Sequence, residues 1–352
     1  MAKAISTQPP PFYVLRRVFQ PRELLILGVF LLELAIFWRL KPESVSLTSL
    51  SQDADYISLY GIAGVGAALV IISGGIDLSS GRVLGLCAVV MGLLATQSRW
   101  PLPAWVCALL TVGVGLLAGL LNGVAIAYLG VPPFIVTLGS MSAAGGLAYL
   151  LTGGMPLSFQ EFRPDVVRFV DALSVRLFEF DAFPGLRTGI FVMLGLALLA
   201  AFWLHVTPWG RYVLSIGGSE EASRHAGVPV AQVKVLVYMV AGGLAGLAGI
   251  FYVTNFGGPN SGVGAGWELN IIAAVVVGGV SLSGGRGSPL GVVIGAMLIE
   301  VLRSGLQHME VEEGGAKIAI GLFIILAVVI ERGFRALGAR LAGRVRPPAP
   351  LQ

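Results

Sequence analysis

Residues 104–128 read AWVCALLTVGVGLLAGLLNGVAIAY and carry no charged side chain. A helix of this length reaches about 37 Å at 1.5 Å per residue, which exceeds the roughly 30 Å of hydrocarbon in a bilayer. The sequence therefore predicts an all-α polytopic membrane protein with about ten transmembrane helices. The other apolar segments lie near 24–38, 57–75, 83–97, 133–151, 189–206, 233–253, 268–283, 289–303 and 316–330.

The overall composition excludes a water-soluble globular protein. Of 352 residues, 56% are hydrophobic and 12% are charged, and the mean hydropathy is +0.86. The loops are too short for a separate catalytic or nucleotide-binding domain, and the sequence has no G-x-x-x-x-G-K-[ST] phosphate loop. We expect no catalytic residue, metal site or bound cofactor in this chain. Cys87 and Cys107 are expected to be buried thiols.

The distribution of lysine and arginine predicts the orientation in the membrane. Ten spans put both termini on one side, and that side holds about 14 of the 23 basic residues, so both termini should be cytoplasmic. The net charge of +4 then reflects basic flanks rather than nucleic-acid binding. The predicted organisation is a cytoplasmic tail at 1–23, a transmembrane domain at 24–331 and a cytoplasmic tail at 332–352.

One outer and one cytoplasmic loop are long enough to carry a function. The outer loop 152–188 has an amphipathic pattern between Phe159 and Leu173, which predicts a helix along the outer interface. This helix is either a docking surface or lid, or a packing element that closes a long connection. Its role stays open.

The cytoplasmic loop 207–232 contains signals for a short helix. Ser219, followed by two glutamates, is a good helix start, and Gly227 with Pro229 is a stop. We expect one or two exposed helical turns. They form either a binding surface for a soluble partner protein or an ordinary connection between helices.

An internal repeat links two glycine-rich segments. GGIDLSSGR at 74–82 matches GGVSLSGGR at 278–286 at six of nine positions, and six predicted spans separate them, so the repeat is parallel. Paired glycines let a chain leave a helix at membrane depth, and two such breaks could frame a pathway. Arg82 is expected at the cytoplasmic headgroups. The predicted break residues are Gly74, Gly75, Asp77, Ser79, Gly278, Gly279, Ser281 and Ser283, with Asp77 or Ser79 and Ser281 or Ser283 capping the next helix.

Other glycines predict close helix contacts rather than sites. Residues 262–266, GVGAG, follow no strand and are expected in an outer loop, so they are not a nucleotide loop. Small residues spaced four apart let helices approach closely. The predicted packing glycines are Gly115, Gly119 and Gly123, Gly242 and Gly246, and Gly287, Gly291 and Gly295.

Several motifs together resemble one transporter family. They are GRYVLSIGGSEEASRHAGV at 210–228, ISGGIDLSSG at 72–81, LNG at 121–123, VPPFIVTLG at 131–139 and GGVSLSGGRGS at 278–288. This set, spread in order over about residues 57–331, is similar to the permease subunits of ABC importers for monosaccharides, in the ribose, xylose and galactose branch.

The resemblance implies a type II-like ABC importer permease fold in the bacterial inner membrane. Two permease subunits, most simply a homodimer, would form a passage for a sugar or sugar-like solute. A periplasmic binding protein would deliver the solute, and a separate cytoplasmic ABC ATPase would hold ATP and Mg. The partner permease could instead be a related chain, and the outer loop 152–188 is longer than is usual in the family.

The resemblance also assigns a coupling segment that contacts the ATPase. Its residues are Gly217, Gly218, Ser219, Glu220, Glu221, Ala222, Arg224, Ala226 and Gly227. Sugars carry many hydroxyls, so their path needs uncharged polar and aromatic side chains. The candidate path residues are Asn122, Phe134, Thr137, Ser140, Trp267 and Asn270.

The main alternative is an ion-coupled secondary transporter that uses a buried carboxylate. Its candidates are Glu33, Glu268 near the outer interface, and Glu300, which has Arg303 three residues on as a partner. None is expected at the membrane midplane. A channel without coupling would need selectivity rings, and the sequence suggests none. The solute stays open among pentoses, hexoses, cyclic polyols, sugar-like signals and nucleosides.

Overall fold

The computed structural model describes residues 21–96, 102–179, 184–312, 314–326 and 329. Most of these residues are helical, and one short antiparallel pair, β1 (Arg176–Leu177) and β2 (Leu186–Arg187), lies in the outer loop. The helices are α1 (Pro21–Leu40), α2 (Leu47–Ile72), α3 (Ser80–Ala95), α4 (Ala104–Ala127), α5 (Pro133–Thr152), α6 (Pro164–Leu173), α7 (Thr188–Val206), α8 (Pro208–Gly218), α9 (Glu220–His225), α10 (Val230–Phe256), α11 (Trp267–Val277), α12 (Pro289–His308) and α13 (Gly314–Leu326).

Each of the ten predicted apolar segments overlaps one of these helices. Six helices are long and apolar enough to cross a membrane, namely α2, α4, α5, α7, α10 and α12. The helical class is therefore confirmed, whereas the count of ten spans and the parallel repeat stay predictions. The tail at 332–352 and all of the tail at 1–23 except residues 21–23 lie outside the described residues.

The core is built around α2 and α10. In the most apolar 18-residue window of α2, 94% of the residues are buried, and α10 packs against α2, α3 and α4. The close packing of α4 on α10 depends on glycine. A Cβ at Gly123 would lie 2.7 Å from the Cα of Val235, and one at Gly246 would lie 3.1 Å from the Cα of Val112. The predicted packing of these glycines is confirmed.

A second glycine contact joins α11 to α12. Gly291 lies against the backbone of Gly278, and Gly295 lies against the backbone of Ala274. Gly287, predicted to share this helical face, precedes α12 and belongs to the connection instead. Cys87 and Cys107 are buried free thiols, as predicted.

The chain between α10 and α11 enters the bundle, which corrects the prediction of an outer loop. Gly264, with φ +77°, packs against the backbone of Gly81 at the start of α3. Trp267, which begins α11, makes an edge contact with Tyr60 near the middle of α2 at 5.4 Å between ring centroids. The deep course is possible because neither Gly81 nor Gly264 has a side chain to hold the two backbones apart.

The predicted helix in the outer loop is present as α6. It buries Val166 and Val170 against the bundle, and Arg163 at its N-terminus donates to the carbonyl of Leu102. These contacts fix the loop on the ends of α3 and α4. Whether it docks a partner stays a prediction.

Candidate functional site

The ends of α2 and α11 have the same hydrogen-bonding pattern. After α2, Gly74 N donates to Ile71 O at 2.9 Å and Gly75 N donates to Val70 O at 3.0 Å. After α11, the equivalent bonds run from Gly279 to Val276 at 2.9 Å and from Val280 to Val275 at 3.1 Å. Gly74 and Gly279 have φ of +84° and +92°, where glycine is strongly favoured. The structural match therefore pairs Gly74 with Gly279, one position away from the sequence match.

The two connections restart their helices differently. We call residues 73–79 the first break and residues 278–288 the second break. In the first break, Asp77 Oδ1 accepts from the amide of Ser79 at 2.8 Å and from its hydroxyl at 2.6 Å. In the second break, the cap of α12 is Ser288, whose side chain accepts from Leu290 N. Ser281 and Ser283 were predicted as caps, and this prediction is wrong because a glycine-rich turn separates them from the helix.

The first break is held by a buried polar network. Asn122 Nδ2 donates to Ser79 Oγ at 3.1 Å, and Ser140 Oγ donates to Asn122 Oδ1. Tyr238 and Thr137 both donate to the carbonyl of Ile76, at 3.1 and 3.5 Å. The structure thus joins the predicted break to three predicted path residues, Asn122, Thr137 and Ser140. Because these groups bond to one another, the network fixes the break in position.

The other predicted path residues lie apart from this network. Phe134 is 53% exposed at the start of α5. Trp267 and Asn270 lie with Tyr60, whose hydroxyl accepts from Asn270 Nδ2 at 3.4 Å. Tyr252 is 5.9 Å from Trp267 between ring centroids. The six candidates therefore form no single surface.

The aromatic cluster continues into an ion pair. The guanidinium carbon of Arg303 lies 4.8 Å from the ring centroid of Tyr56. Arg303 Nε donates to Glu300 Oε2 at 2.9 Å, so the predicted pairing of Arg303 with Glu300 is confirmed. Sequence reasoning did not single out Tyr56 and Tyr60, although their spacing of four residues puts them on one face of α2.

Two of the candidate acids lie inside the helix bundle. Glu300 is fully buried near the middle of α12, and Glu268 lies against Gly81, within the bundle. The expectation that no acid lies at the membrane midplane stays a prediction. Glu300 is neutralised by Arg303.

The predicted short helix in the cytoplasmic loop is present as α9. Ser219 caps it by accepting from Ala222 N at 3.2 Å, and Gly227 ends it with φ +80°. Glu220 bonds to Arg224 at 3.0 Å and to Lys234 of α10 at 2.6 Å. The hydrogen bond from Lys234 lowers the pKa of Glu220 below its ordinary value. The exposed residues are Glu221, Ala222, Arg224, His225, Ala226 and Gly227.

The end of α8 rests on both breaks. Gly285 N in the second break donates to Ile72 O, at the end of α2, at 2.8 Å. Gly217 lies directly over this bond, so a Cβ at residue 217 would overlap the Ile72 carbonyl oxygen and the Gly285 amide. No described atom lies within 4 Å of a Cβ added at Gly218. The segment leading into α9 therefore contacts the end of α2 and the second break through its backbone at Gly217.

Comparison with known proteins identifies relatives along most of the chain. The fructose import permease protein FrcC of Rhizobium meliloti is 33% identical over 288 residues, which cover 80% of this chain and 77% of the relative. The autoinducer 2 import system permease protein LsrD of Escherichia coli K12 is 32% identical over 343 residues, 93% of this chain and 98% of the relative. LsrD of Photorhabdus laumondii is 32% identical over 311 residues, 87% and 90% of the two chains. No solved structure matches the chain.

Residues 50–330 match a protein family described as "Branched-chain amino acid transport system / permease component". The match includes both breaks, the buried network and α9. Its relatives are permease subunits of ABC importers, which are transport components and not enzymes. The chain belongs to this permease family and is a multi-pass membrane protein.

Proposed function

We propose that this permease carries a sugar or sugar-like solute in an ATP-driven ABC importer. Two relatives import fructose and autoinducer 2, which favours a small polar solute over the branched-chain amino acids in the family description. The observation that carries the coupling part of the proposal is the position of α9. It is exposed, and the segment before it contacts both breaks.

The proposed assembly has four kinds of component in a bacterial inner membrane. Two permease subunits, most simply two copies of this chain, form the passage. A cytoplasmic ABC ATPase holds ATP and Mg and contacts α9, and a periplasmic binding protein delivers the solute. Both termini are cytoplasmic, as is α9. The outer loop that contains α6 then faces the binding protein.

The proposed mechanism converts movement of α9 into movement of the helix breaks. Glu220 holds α9 to α10 through Lys234, so a displacement of α9 by the ATPase also pulls on α10. Gly217 transmits the same displacement to Ile72 and Gly285 through backbone contact. Densely packed contacts transmit rigid-body motion well, and such rocking exchanges outward and inward access.

The ion-coupled alternative finds no support among the relatives, which are import permeases, and one of its three candidate acids, Glu300, is paired. A carboxylate that exchanges a proton or Na⁺ must be free of a permanent partner in one state. Glu300 is bound by the guanidinium of Arg303 through both oxygens. Its arrangement favours a structural role over ion exchange.

Reversing the charge of one exposed acid tests this proposal. Glu221 is exposed on α9, so Glu221→Lys alters the surface offered to an ATPase without disturbing the Glu220 pairs. Glu161→Lys, on the exposed outer loop, is the matched control. Each variant is produced with its ATPase and reconstituted in proteoliposomes with the binding protein. Copurification of the ATPase and uptake of labelled D-fructose, D-ribose and L-leucine are measured.

We expect ATP-dependent uptake of at least one sugar and none of leucine. Glu221→Lys should reduce ATPase copurification and uptake at least tenfold, and Glu161→Lys should leave ATPase copurification unchanged. Full uptake with Glu221→Lys would contradict the coupling role. Uptake that needs no ATP and collapses with an ionophore would favour the ion-coupled transporter.

A further inference from the structure

Arg82 lies deep in the bundle, not at the headgroups where the sequence placed it. Its guanidinium packs against Gly145, where an added Cβ would be 3.5 Å from the guanidinium carbon. Gly145 is the thirteenth residue of α5 and lies about 18 Å along that helix at 1.5 Å per residue. The reason for this depth is the first break, which climbs into the bundle before α3 begins at Ser80. Arg82 is therefore near the middle of the membrane-spanning region.

The charge of Arg82 is only partly satisfied by the chain. Its side chain is half-buried, and Nη1 donates to the carbonyl of Ser261 at 3.0 Å. Within the described ranges, no carboxylate lies within ion-pair distance of it. An arginine at this depth is too costly to expose to lipid, and intramembrane charges almost always face a water-filled cavity or the bundle interior. The exposed side of Arg82 therefore faces water in the assembled transporter.

The segment 257–266 indicates the same face independently. It is non-helical, and residues Asn260, Gly262, Ala265 and Gly266 are exposed. Non-helical backbone at membrane depth is tolerated only where protein covers it or water lines it. Gly264 in this segment packs on Gly81. Because Gly81 directly precedes Arg82 in the chain, the segment lies beside Arg82. Arg82 and this segment thus each require water on the face of the bundle where they lie.

A second charged group lies next to this face. Glu268 is half-buried, and its Oε2 has no hydrogen-bond partner among the described residues. A Cβ on Gly81 would be 2.9 Å from this oxygen, so Glu268 and Arg82 flank the same glycine. The site therefore combines unused donors on Arg82 with the half-buried carboxylate of Glu268, whose buried Oε2 has no partner among the described residues.

We propose that Arg82, Glu268 and the exposed backbone of 260–266 form a solute-binding site at mid-depth on the passage. The inference rests on the proposed function, since it requires a passage for a polar solute. Its ligand is an uncharged polyhydroxylated molecule. The guanidinium donates to neighbouring hydroxyls and the carboxylate accepts from others, while the adjacent opposite charges give no preference to a charged solute.

This site differs from the path predicted from the sequence. The side chains of three predicted path residues are already hydrogen-bonded to the first break or to one another, namely Asn122, Thr137 and Ser140. Arg82 and Glu268 flank Gly81 and take part in none of these bonds. A passing solute would bond to the latter pair.

Thiol labelling tests whether this face is water-lined. Ala265→Cys places a small thiol on the exposed part of the segment. Leu199→Cys, at a 63% exposed position in the middle of α7, is the lipid-facing control. The natural cysteines are buried, so they give a low background. The probe is the membrane-impermeant trimethylammonium-ethyl methanethiosulfonate, applied to the permease–ATPase complex in proteoliposomes.

We expect residue 265 to react at least tenfold faster than residue 199. Equal, slow reaction at both positions would overturn the proposal. This measurement needs no transported solute, so it decides the position of the aqueous face even if the importer fails to take up any sugar tested, which would instead count against the proposed function.

Uptake kinetics test the binding role. Arg82→Gln and Glu268→Gln should each raise KM at least tenfold for the sugar that the wild type transports, and Arg82→Lys should recover part of the loss. Arg39→Gln, at an exposed position at the end of α1, should leave KM unchanged. Copurification with the ATPase verifies that the variants fold. An unchanged KM in both site variants would overturn the proposed binding site. ATP-dependent uptake in the same experiment would still support the proposed importer function.

Discussion

The first and second breaks begin alike and then diverge. Both follow a helix that ends with the same pair of hydrogen bonds around a left-handed glycine. The first break then returns to a helix within a few residues, fixed by Asp77 to α3 and by Asn122 to α4. The second break forms a longer turn against Gly217 and α8.

The difference teaches that glycines specify where a helix stops, and polar residues specify what the break contacts next. Asp77 in the first break has Ser281 as its sequence counterpart in the second. A buried carboxylate needs donors, and Asp77 finds them in Ser79. The first break is therefore tied into the helix packing by polar bonds, whereas the second break supplies glycine backbone against which Gly217 packs.

The largest expected effect comes from breaking the contact of the second break with α8. Gly217→Ala adds a Cβ into the Ile72 carbonyl and the Gly285 amide, where only backbone can move. Overpacking of this kind costs about 1–3 kcal/mol or more. We expect a lower unfolding temperature and loss of ATP-driven uptake.

Gly218→Ala is the matched control for this variant. It lies in the same helix, and no described atom lies near its added Cβ. Alanine is favoured over glycine in a helix by about 1 kcal/mol, so this change should be neutral or stabilising. Equal behaviour of the two variants would contradict the close contact at Gly217.

The next effect distinguishes the two breaks by their polar residues. Asp77→Ala leaves the amide and hydroxyl of Ser79 without their acceptor in a buried place, at a cost of about 1–3 kcal/mol. Asp77→Asn keeps the Oδ1 acceptor and should cost less. Ser283→Ala, in the exposed turn of the second break, should be nearly neutral. Thermal unfolding in detergent measures all three, and a large loss with Ser283→Ala would reverse the comparison.

A smaller loss of stability is expected for Asn122, which bonds to the first break from α4. Asn122→Ala removes the bond to Ser79 and the acceptor for Ser140. Because both hydroxyls can rotate toward other acceptors, the loss should be about 0.5–1.5 kcal/mol. Ser140→Ala should lose less than Asn122→Ala in the same unfolding assay. The reverse order would show that Asn122 does not connect the network.

The smallest effect concerns the attachment of α9. The pKa of Glu220 is lowered by Lys234, so the pair stabilises the fold above the ordinary value of 4.5 and stops doing so as pH falls through the lower folded pKa. Exposed pairs contribute about 0.2–1 kcal/mol. Glu220→Gln should therefore unfold slightly earlier than wild type at pH 7, and the gap should close in more acidic buffer. A gap that is independent of pH would contradict the ion pair.

Local patterns in the sequence predicted much of the fold. The apolar segments, the cap of α9 at Ser219, the glycine contacts of α4 and the pairing of Glu300 with Arg303 all depend on spacings of a few residues. The network around the first break does not. Its bonds join residues 43 and 162 positions apart, Asn122 to Ser79 and Tyr238 to Ile76, which no local pattern encodes.

Depth in the membrane was the other quantity that the sequence did not provide. Hydropathy does not distinguish a glycine-rich loop outside the bundle from one folded into it, so residues 262–266 were predicted as an outer loop, whereas Gly264 packs against Gly81. Arg82 was likewise predicted at the headgroups, whereas it packs against Gly145 of α5. Because the second break is longer than the first, the cap of α12 is Ser288 rather than the predicted Ser281 or Ser283. Both predictions, the outer loop at 262–266 and the cap of α12, failed because glycine-rich segments of similar sequence have different structures here.

The central claim is that α9 and the second break move as one packed unit during transport. Spin labels at Ala222→Cys and Ser283→Cys, both exposed positions, report the intrasubunit distance between them by double electron–electron resonance. The complex with the ATPase is compared without nucleotide and after trapping with ATP and vanadate. We predict the same distance distribution in both states, while ATP-driven uptake confirms that the labelled importer is active. A distribution that shifts on trapping would contradict the claim.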